Sequence, residues 1–258
     1  HFGAEASAVV TDVTGAYTQL NIQGPHSRKL MSELTDTDMS DEAFPFRAAK
    51  EVALGYARPM VTRITYLGEL GYELFIPSEQ ALHVYDKIVA VGEGHGLVHA
   101  GLKALASLRM EKGYRDYGHD LDNTDTLLEA GLGFTADFDK PGGFIGREAV
   151  LAQKESVGGS VAKLPKRMIQ VVLEDPEPFL HHGEVVYRDG EIVGDVRAGS
   201  FGHTVRHAAR PLCPNPDQPE PSLAAVGRVL TWSVPSQLGG AVGLVMCESA
   251  SGEPVNKA

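Results

Sequence analysis

Basic residues are in deficit in this sequence: 23 Lys and Arg stand against 34 Asp and Glu, a formal charge of -11 at pH 7. Such a surface repels phosphate backbones and anionic lipid heads, so neither nucleic acid nor a membrane is an expected partner. Cysteine is scarcer still. Only Cys213 and Cys247 occur, in neither a metal-ligand nor a redox spacing, so no disulfide scaffold is expected and a reducing compartment fits best. No stretch approaches the roughly 20 apolar residues needed to span a bilayer. A Gly-x-Gly-x-x-Gly turn after a strand is absent, which removes the basis for a dinucleotide site. The opening "HFGAEASAVVTDVTGAYTQL" has neither a start methionine nor a charged-then-apolar signal segment, and on that ground the chain is expected to be a piece of something longer.

What remains is a globular composition. With 258 residues and 43% hydrophobic content the chain can bury a sizeable core, and its length suits two or three smaller units. Tyr17, Leu20 and Ile22 predict a short strand from Ala16 to Ile22, and Gly24-Pro25 punctuates it before a helix over Ser27 to Leu34. Leu82, Val84, Tyr85, Ile88 and Val89 at helical spacing predict a second helix. Two more are expected over Lys103 to Lys112 and Gly146 to Lys154. From Lys166 onward helical periodicity fades, and "KRMIQVVLE", "GEVVYRDGEIVGDV" and "GGAVGLVMC" read as strands, with Asp189-Gly190 as a hairpin signal. Five prolines between Pro211 and Pro221 deny donors to a sheet ladder, so Val205 to Gln237 is expected to be a long loop or disordered.

The stretch "TRITYLGELGYELFIP", Thr62 to Pro77, carries the sharpest question. Leu67 to Gly71 suits a tight connection between strands Met60 to Thr65 and Tyr72 to Ile76. Strand alternation then puts Tyr72, Leu74 and Ile76 on one face, Glu73 and Phe75 on the other. Glu73 is either solvated on an open sheet face or bonded to a nearby backbone group, or it is a ligand-facing carboxylate accepting paired N–H donors, with Tyr66 as an aromatic wall.

Other candidate chemistry is weaker. His181 and His182 are adjacent on a predicted strand and point to opposite faces, so they do not jointly ligate a metal. The remaining histidines have no zinc spacing. Asp116, Asp120, Asp122 and Asp125 lack the sixth-position glycine and twelfth-position glutamate of a calcium loop, and read as loop and cap residues. Cys247, in an apolar strand, reads as packed rather than reactive.

Taken with "LNIQGPHSRKL" (Leu20 to Leu30), "SLRMEKGYRDYGHDLDNTDTLLEAGL" and "FIGREAV" (Phe144 to Val150), the Thr62 to Pro77 stretch resembles the folate-binding aminomethyltransferase family, which includes the T-protein of the glycine cleavage system. The resemblance covers about Val9 to Thr204 and resumes at Leu238. "MSDEAFPF" (Met39 to Phe46), "EKGYRDYGHDL" and "HHGEVVYRDGEIVGDV" look most like the carboxyl-terminal half of the sarcosine and dimethylglycine dehydrogenases within it.

That resemblance implies an α+β, multidomain chain: the remnant of a first α/β folate-binding domain over 1–55, a ferredoxin-like α+β domain over 56–160, and an antiparallel β-barrel over 161–258 interrupted by an insertion at 205–237. It implies a tetrahydrofolate cofactor, with an FAD domain elsewhere in the parent protein oxidising an N-methyl amine and the folate part capturing the one-carbon unit as 5,10-methylenetetrahydrofolate. Tyr66 falls on the tyrosine of the family's Tyr-x-Gly-Glu-x-Gly-x-Glu motif and Glu73 on its final, pterin-bonding glutamate. Arg109 falls on the arginine of the Leu-Arg-x-Glu helix, read as structural support for the site. Leu105 stands where T-protein has a folate-contacting arginine. The family's catalytic aspartate would lie upstream of Val9, so no catalytic residue is assigned, and no metal site. Localisation would be the mitochondrial matrix if eukaryotic, otherwise the cytoplasm. A non-catalytic relative, like the regulatory subunit of pyruvate dehydrogenase phosphatase, and an aminomethyltransferase without FAD are the alternatives.

Overall fold

The structure, a computed structural model, describes residues 7–173, 179–188, 190–202 and 240–248. The Pro-rich stretch from Val205 to Gln237, Cys213 and Asp189 lie outside the described residues. The chain is mixed α and β, with two antiparallel sheets, and it divides into the compact units His1–Gly101 and Leu102–Ala258.

The first unit contains β1 (Tyr17–Gln23), α1 (Ser27–Leu34), β2 (Ala49–Glu51), β3 (Met60–Thr62), β4 (Gly71–Pro77) and α2 (Ala81–Gly92). Its sheet has the order β1-β4-β3-β2, every pair antiparallel. Alternation in β4 decides which face is covered. Tyr72, Leu74 and Ile76 are wholly buried, while Glu73 and Phe75 are partly exposed. Leu30 and Met31 of α1 and Val84 and Ile88 of α2 pack against that buried face in one core with Ile22 and Val61. The segment expected to be a first-domain remnant, 1–55, supplies β1 to the same sheet as β3 and β4, because Leu20 and Ile22 find their apolar cover beside Leu74 and Tyr72.

Local chemistry sets the entry into α1. Gly24, at φ +118°, turns the chain out of β1, its N–H donates to Leu70 O at 2.8 Å, and the Ser27 hydroxyl donates to the same carbonyl at 3.1 Å. A left-handed φ of this kind suits a glycine. Both bonds tie the start of α1 to the residue preceding β4.

The second unit contains α3 (Leu102–Glu111), α4 (Arg147–Ser156), β5 (Lys166–Val172), β6 (Val185–Arg188), β7 (Glu191–Gly202) and β8 (Gly240–Glu248). Its sheet has the order β5-β8-β7-β6. Both faces are covered: Met168, Val172, Leu244 and Met246 pack with Met110 and Leu121, while Val171, Val196, Val245 and Cys247 pack with Val186. That two-sided burial explains why β8 reads as an uninterrupted apolar run. The expectation of a closed barrel is not shown. The described strands pair as an open sheet with β5 and β6 at its edges. Among the described residues no helix is long and apolar enough to cross a membrane.

Candidate functional site

β4 carries Glu73 at the middle of the less covered face. The register puts Asn21 of β1 opposite it on one side and Thr62 of β3 on the other. Two residues along the strand the same face carries Gln19, Phe75 and Met60. A polar row therefore lies beside a partly apolar one. Among the described residues no hydrogen bond or ion pair involves the Glu73 carboxylate; its backbone belongs to the β1–β4–β3 ladder, where its carbonyl also accepts from the Thr62 hydroxyl at 3.5 Å. A carboxylate has about four lone-pair sites, and those of Glu73 are available to a ligand's N–H groups.

Tyr66 is half-buried in the connection between β3 and β4. β3 ends at Thr62 rather than at the expected Thr65, so the connection is longer than a tight turn. Within it Leu67 N–H donates to the Thr65 hydroxyl at 3.0 Å and Gly68 adopts φ +71°, local bonding that draws the chain out of the ladder. Gly71 then opens β4 under Gln23: a Cβ there would come within 1.8 Å of Gln23 Oε1.

Arg109 belongs to the second unit, whereas Tyr66 and Glu73 belong to the first. It is buried at 5% exposure, donates to Tyr114 O at 2.9 Å, and makes a forked ion pair with both oxygens of the fully buried Asp120. Asp120 also accepts the Asp116 N–H at 2.9 Å and faces His119 Nδ1 at 2.8 Å. Arg115 lies nearby, its guanidinium pushed below its ordinary value by burial and partly restored by the Asp120 charge. Thus Arg109 holds the loop that follows α3.

The acidic run after α3 divides by burial. Asp122 is exposed and bonds the Thr124 hydroxyl and N–H at 2.6 and 2.7 Å, which holds its carboxyl below the usual range. Asp125 is covered, with Lys166 at 2.8 Å and Arg197 at 3.5 Å. Thr126 and Glu129 bond each other's N–H groups reciprocally, a capping box at the start of the next turn. His181 and His182, expected on a strand, precede β6 at a turn: Gly183 takes φ +86° and Glu184 N–H donates to His181 O at 3.2 Å, which breaks the extended run. Among the described residues no group of three or more His, Cys, Asp and Glu is placed to hold a metal ion. The "FIGREAV" segment lines an open cleft of about 380 Å³, where Arg147 is already bonded to Phe138 O and Glu148. Burial pushes the Cys247 thiol up to about 11, consistent with a packed side chain.

Asn21 and Thr62 are the residues that sequence reasoning did not single out. The signal for Thr62 was available, since hairpin pairing follows from the Met60 and Tyr72 runs. Asn21 meets Glu73 through a pairing across some 50 residues of chain, which local patterns do not reveal.

Comparison with known proteins places this geometry in a class, the aminomethyltransferase-type domains. Residues 2–140 match the GCVT N-terminal domain and residues 166–209 match the glycine cleavage T-protein C-terminal barrel domain. The first match takes in more than half of the chain, which therefore belongs to the glycine cleavage T-protein family. It is 40% identical over 213 residues to 4-methylaminobutanoate oxidase (formaldehyde-forming) of Paenarthrobacter nicotinovorans, covering 82% of this chain and 25% of that protein. Human mitochondrial sarcosine dehydrogenase is 40% identical over 186 residues, 72% of this chain and 20% of its own length. The mouse mitochondrial pyruvate dehydrogenase phosphatase regulatory subunit is 36% identical over 209 residues, 79% and 23%. The chain thus spans a quarter or less of the length of these relatives. The crystal structure of the glycine cleavage system aminomethyltransferase T from Bartonella henselae shares the fold, with a TM-score of 0.62 at 20% identity over 90% of this chain and 52% of that one.

Proposed function

We propose that the chain is the folate-binding part of a sarcosine dehydrogenase-like enzyme. The observation that carries this reading is Glu73: a carboxylate without a partner among the described residues, central on a sheet face, flanked by polar side chains in register. A carboxylate accepting two N–H bonds from an amino-pyrimidine edge is charge-assisted and geometrically selective, and Tyr66 at the end of the same hairpin offers an aromatic wall. Arg109 has a structural role in this reading, holding the loop after α3 through Asp120. In this reading the remainder of the protein binds FAD and oxidises an N-methyl amine to an iminium, and tetrahydrofolate on this chain accepts the one-carbon unit as 5,10-methylenetetrahydrofolate. The likeness to two amine-oxidising proteins supports the oxidase side. Two of the relatives are mitochondrial proteins, which supports the matrix as the compartment.

The regulatory relative supports a second reading, in which the fold is kept without the chemistry. The protein encoded by the whole gene separates the two. Bound flavin with sarcosine-dependent formation of methylenetetrahydrofolate is the result expected of the enzyme. Folded protein with neither flavin nor turnover is the result expected of the regulator.

A further inference from the structure

The residue opposite Glu73 has an orientation of its own. Gln19, two positions back on the same face of β1, donates from Nε2 to Asn21 Oδ1 at 3.2 Å. With its oxygen engaged, the Asn21 amide is left with its NH2 group unbonded among the described residues. The face therefore sets a neutral donor, Asn21 Nδ2, one strand away from a charged acceptor, Glu73.

We infer that Asn21 and Glu73 together read a lactam edge, which makes Asn21 a specificity-determining residue of the site. This rests on the reading of Glu73 as the pterin acceptor. A 2-amino-4-oxo pterin presents, in order, an amino N–H, a ring N–H and a ring carbonyl. Glu73 accepts from the first two, and Asn21 Nδ2 donates to the third. The spacing is suitable: neighbouring strands lie about 4.8 Å apart, and adjacent N–H and C=O groups on one ring edge, each bonded at about 2.9 Å, reach partners separated by roughly that distance. A 2,4-diamino ring carries an amino donor where the carbonyl was, and its adjacent ring nitrogen has no proton, so Glu73 also loses one of its two N–H donors. It meets the Asn21 NH2 donor to donor, and that polar group is left unpaired. Gln19 is a positioning residue in this scheme, since its bond keeps the Asn21 amide from turning its oxygen toward the ligand.

The test compares the affinity of the chain for tetrahydrofolate with that for its 4-amino analogue. The parent prefers the 4-oxo ligand. Asn21→Leu, which removes the donor without adding charge, and Asn21→Asp, which replaces it by an acceptor, each lower the 4-oxo to 4-amino affinity ratio by about tenfold or more. Gln19→Leu lowers the ratio less, with an unchanged melting temperature, an effect on selectivity that a merely structural role would not produce. An unchanged ratio in both Asn21 variants, while Glu73→Gln still weakens tetrahydrofolate binding, overturns this inference alone. Indifference of both ligands to Glu73→Gln overturns the underlying reading with it.

Discussion

Arg109 donates to both carboxylate oxygens of Asp120, with 6% of one side chain and none of the other exposed to solvent. Two charges taken out of water are tolerated because each is also bonded to backbone: Arg109 to Tyr114 O, and Asp120 to Asp116 N–H. Removing either partner strands the other, which typically costs more than the pair itself contributes.

Arg109→Leu and Asp120→Asn are therefore each expected to destabilise the second unit by about 3–5 kcal/mol. The double variant should cost clearly less than the sum, because it leaves no uncompensated charge. Urea unfolding of the four proteins measures the coupling. Additive effects would show that the two side chains do not act as a pair.

The alternation of β4 makes a contrast between neighbours in sequence. Leu74 is wholly buried and Glu73 is not, so Leu74→Ala is expected to cost about 2–5 kcal/mol, whereas Glu73→Gln stays within roughly 0.5 kcal/mol of the parent. Thermal or urea unfolding reads both. A large loss in Glu73→Gln would mean that the carboxylate holds the fold rather than awaiting a ligand.

Acid stability has a local source near α1. Asp41 lies 2.5 Å from Arg63 and 2.6 Å from Arg28, and the bond to Arg63, followed by the nearby positive charges, holds its carboxyl below the usual range. A depressed folded-state value means that the unfolded chain binds the proton first. The stabilisation is thus present above the unfolded value of about 3.9 and is lost as pH falls through the lower folded one. Asp41→Asn should flatten the fall in stability below about pH 4 and leave the neutral-to-alkaline limb unchanged. Unfolding midpoints collected as a function of pH test this.

Much of the local structure was legible because periodicity is a property of near neighbours. Gly24-Pro25 announced the entry to α1, the Tyr72, Leu74 and Ile76 alternation assigned the faces of β4, and the spacing of Val84 and Ile88 marked the buried stripe of α2. What local patterns did not convey were pairings over long separations. Asn21 reached Glu73 only through the β1–β4 ladder, and β1 joined the sheet of the hairpin for the same reason. Charge was the other obscured quantity. Asp120 and Asp125 look like solvated loop residues until α3 and the second sheet bring Arg109, Lys166 and Arg197 to them. Residues such as His181 and His182 were placed on a strand by their neighbours' apolarity, yet the backbone at Gly183 turned there instead. For the candidate site, Glu73 was singled out by its motif, whereas Asn21 and Thr62, the residues opposite it, had to be seen in register.

The central claim is that the Glu73 carboxylate binds a pterin, and calorimetric titration of the chain with tetrahydrofolate, repeated with Glu73→Gln, tests it most directly. The account predicts saturable binding by the parent and an affinity about tenfold or more lower in the variant, about 1.4 kcal/mol for one weakened charge-assisted bond, with both proteins melting alike. Equal affinity in the two folded proteins, or no binding by the parent, would contradict it.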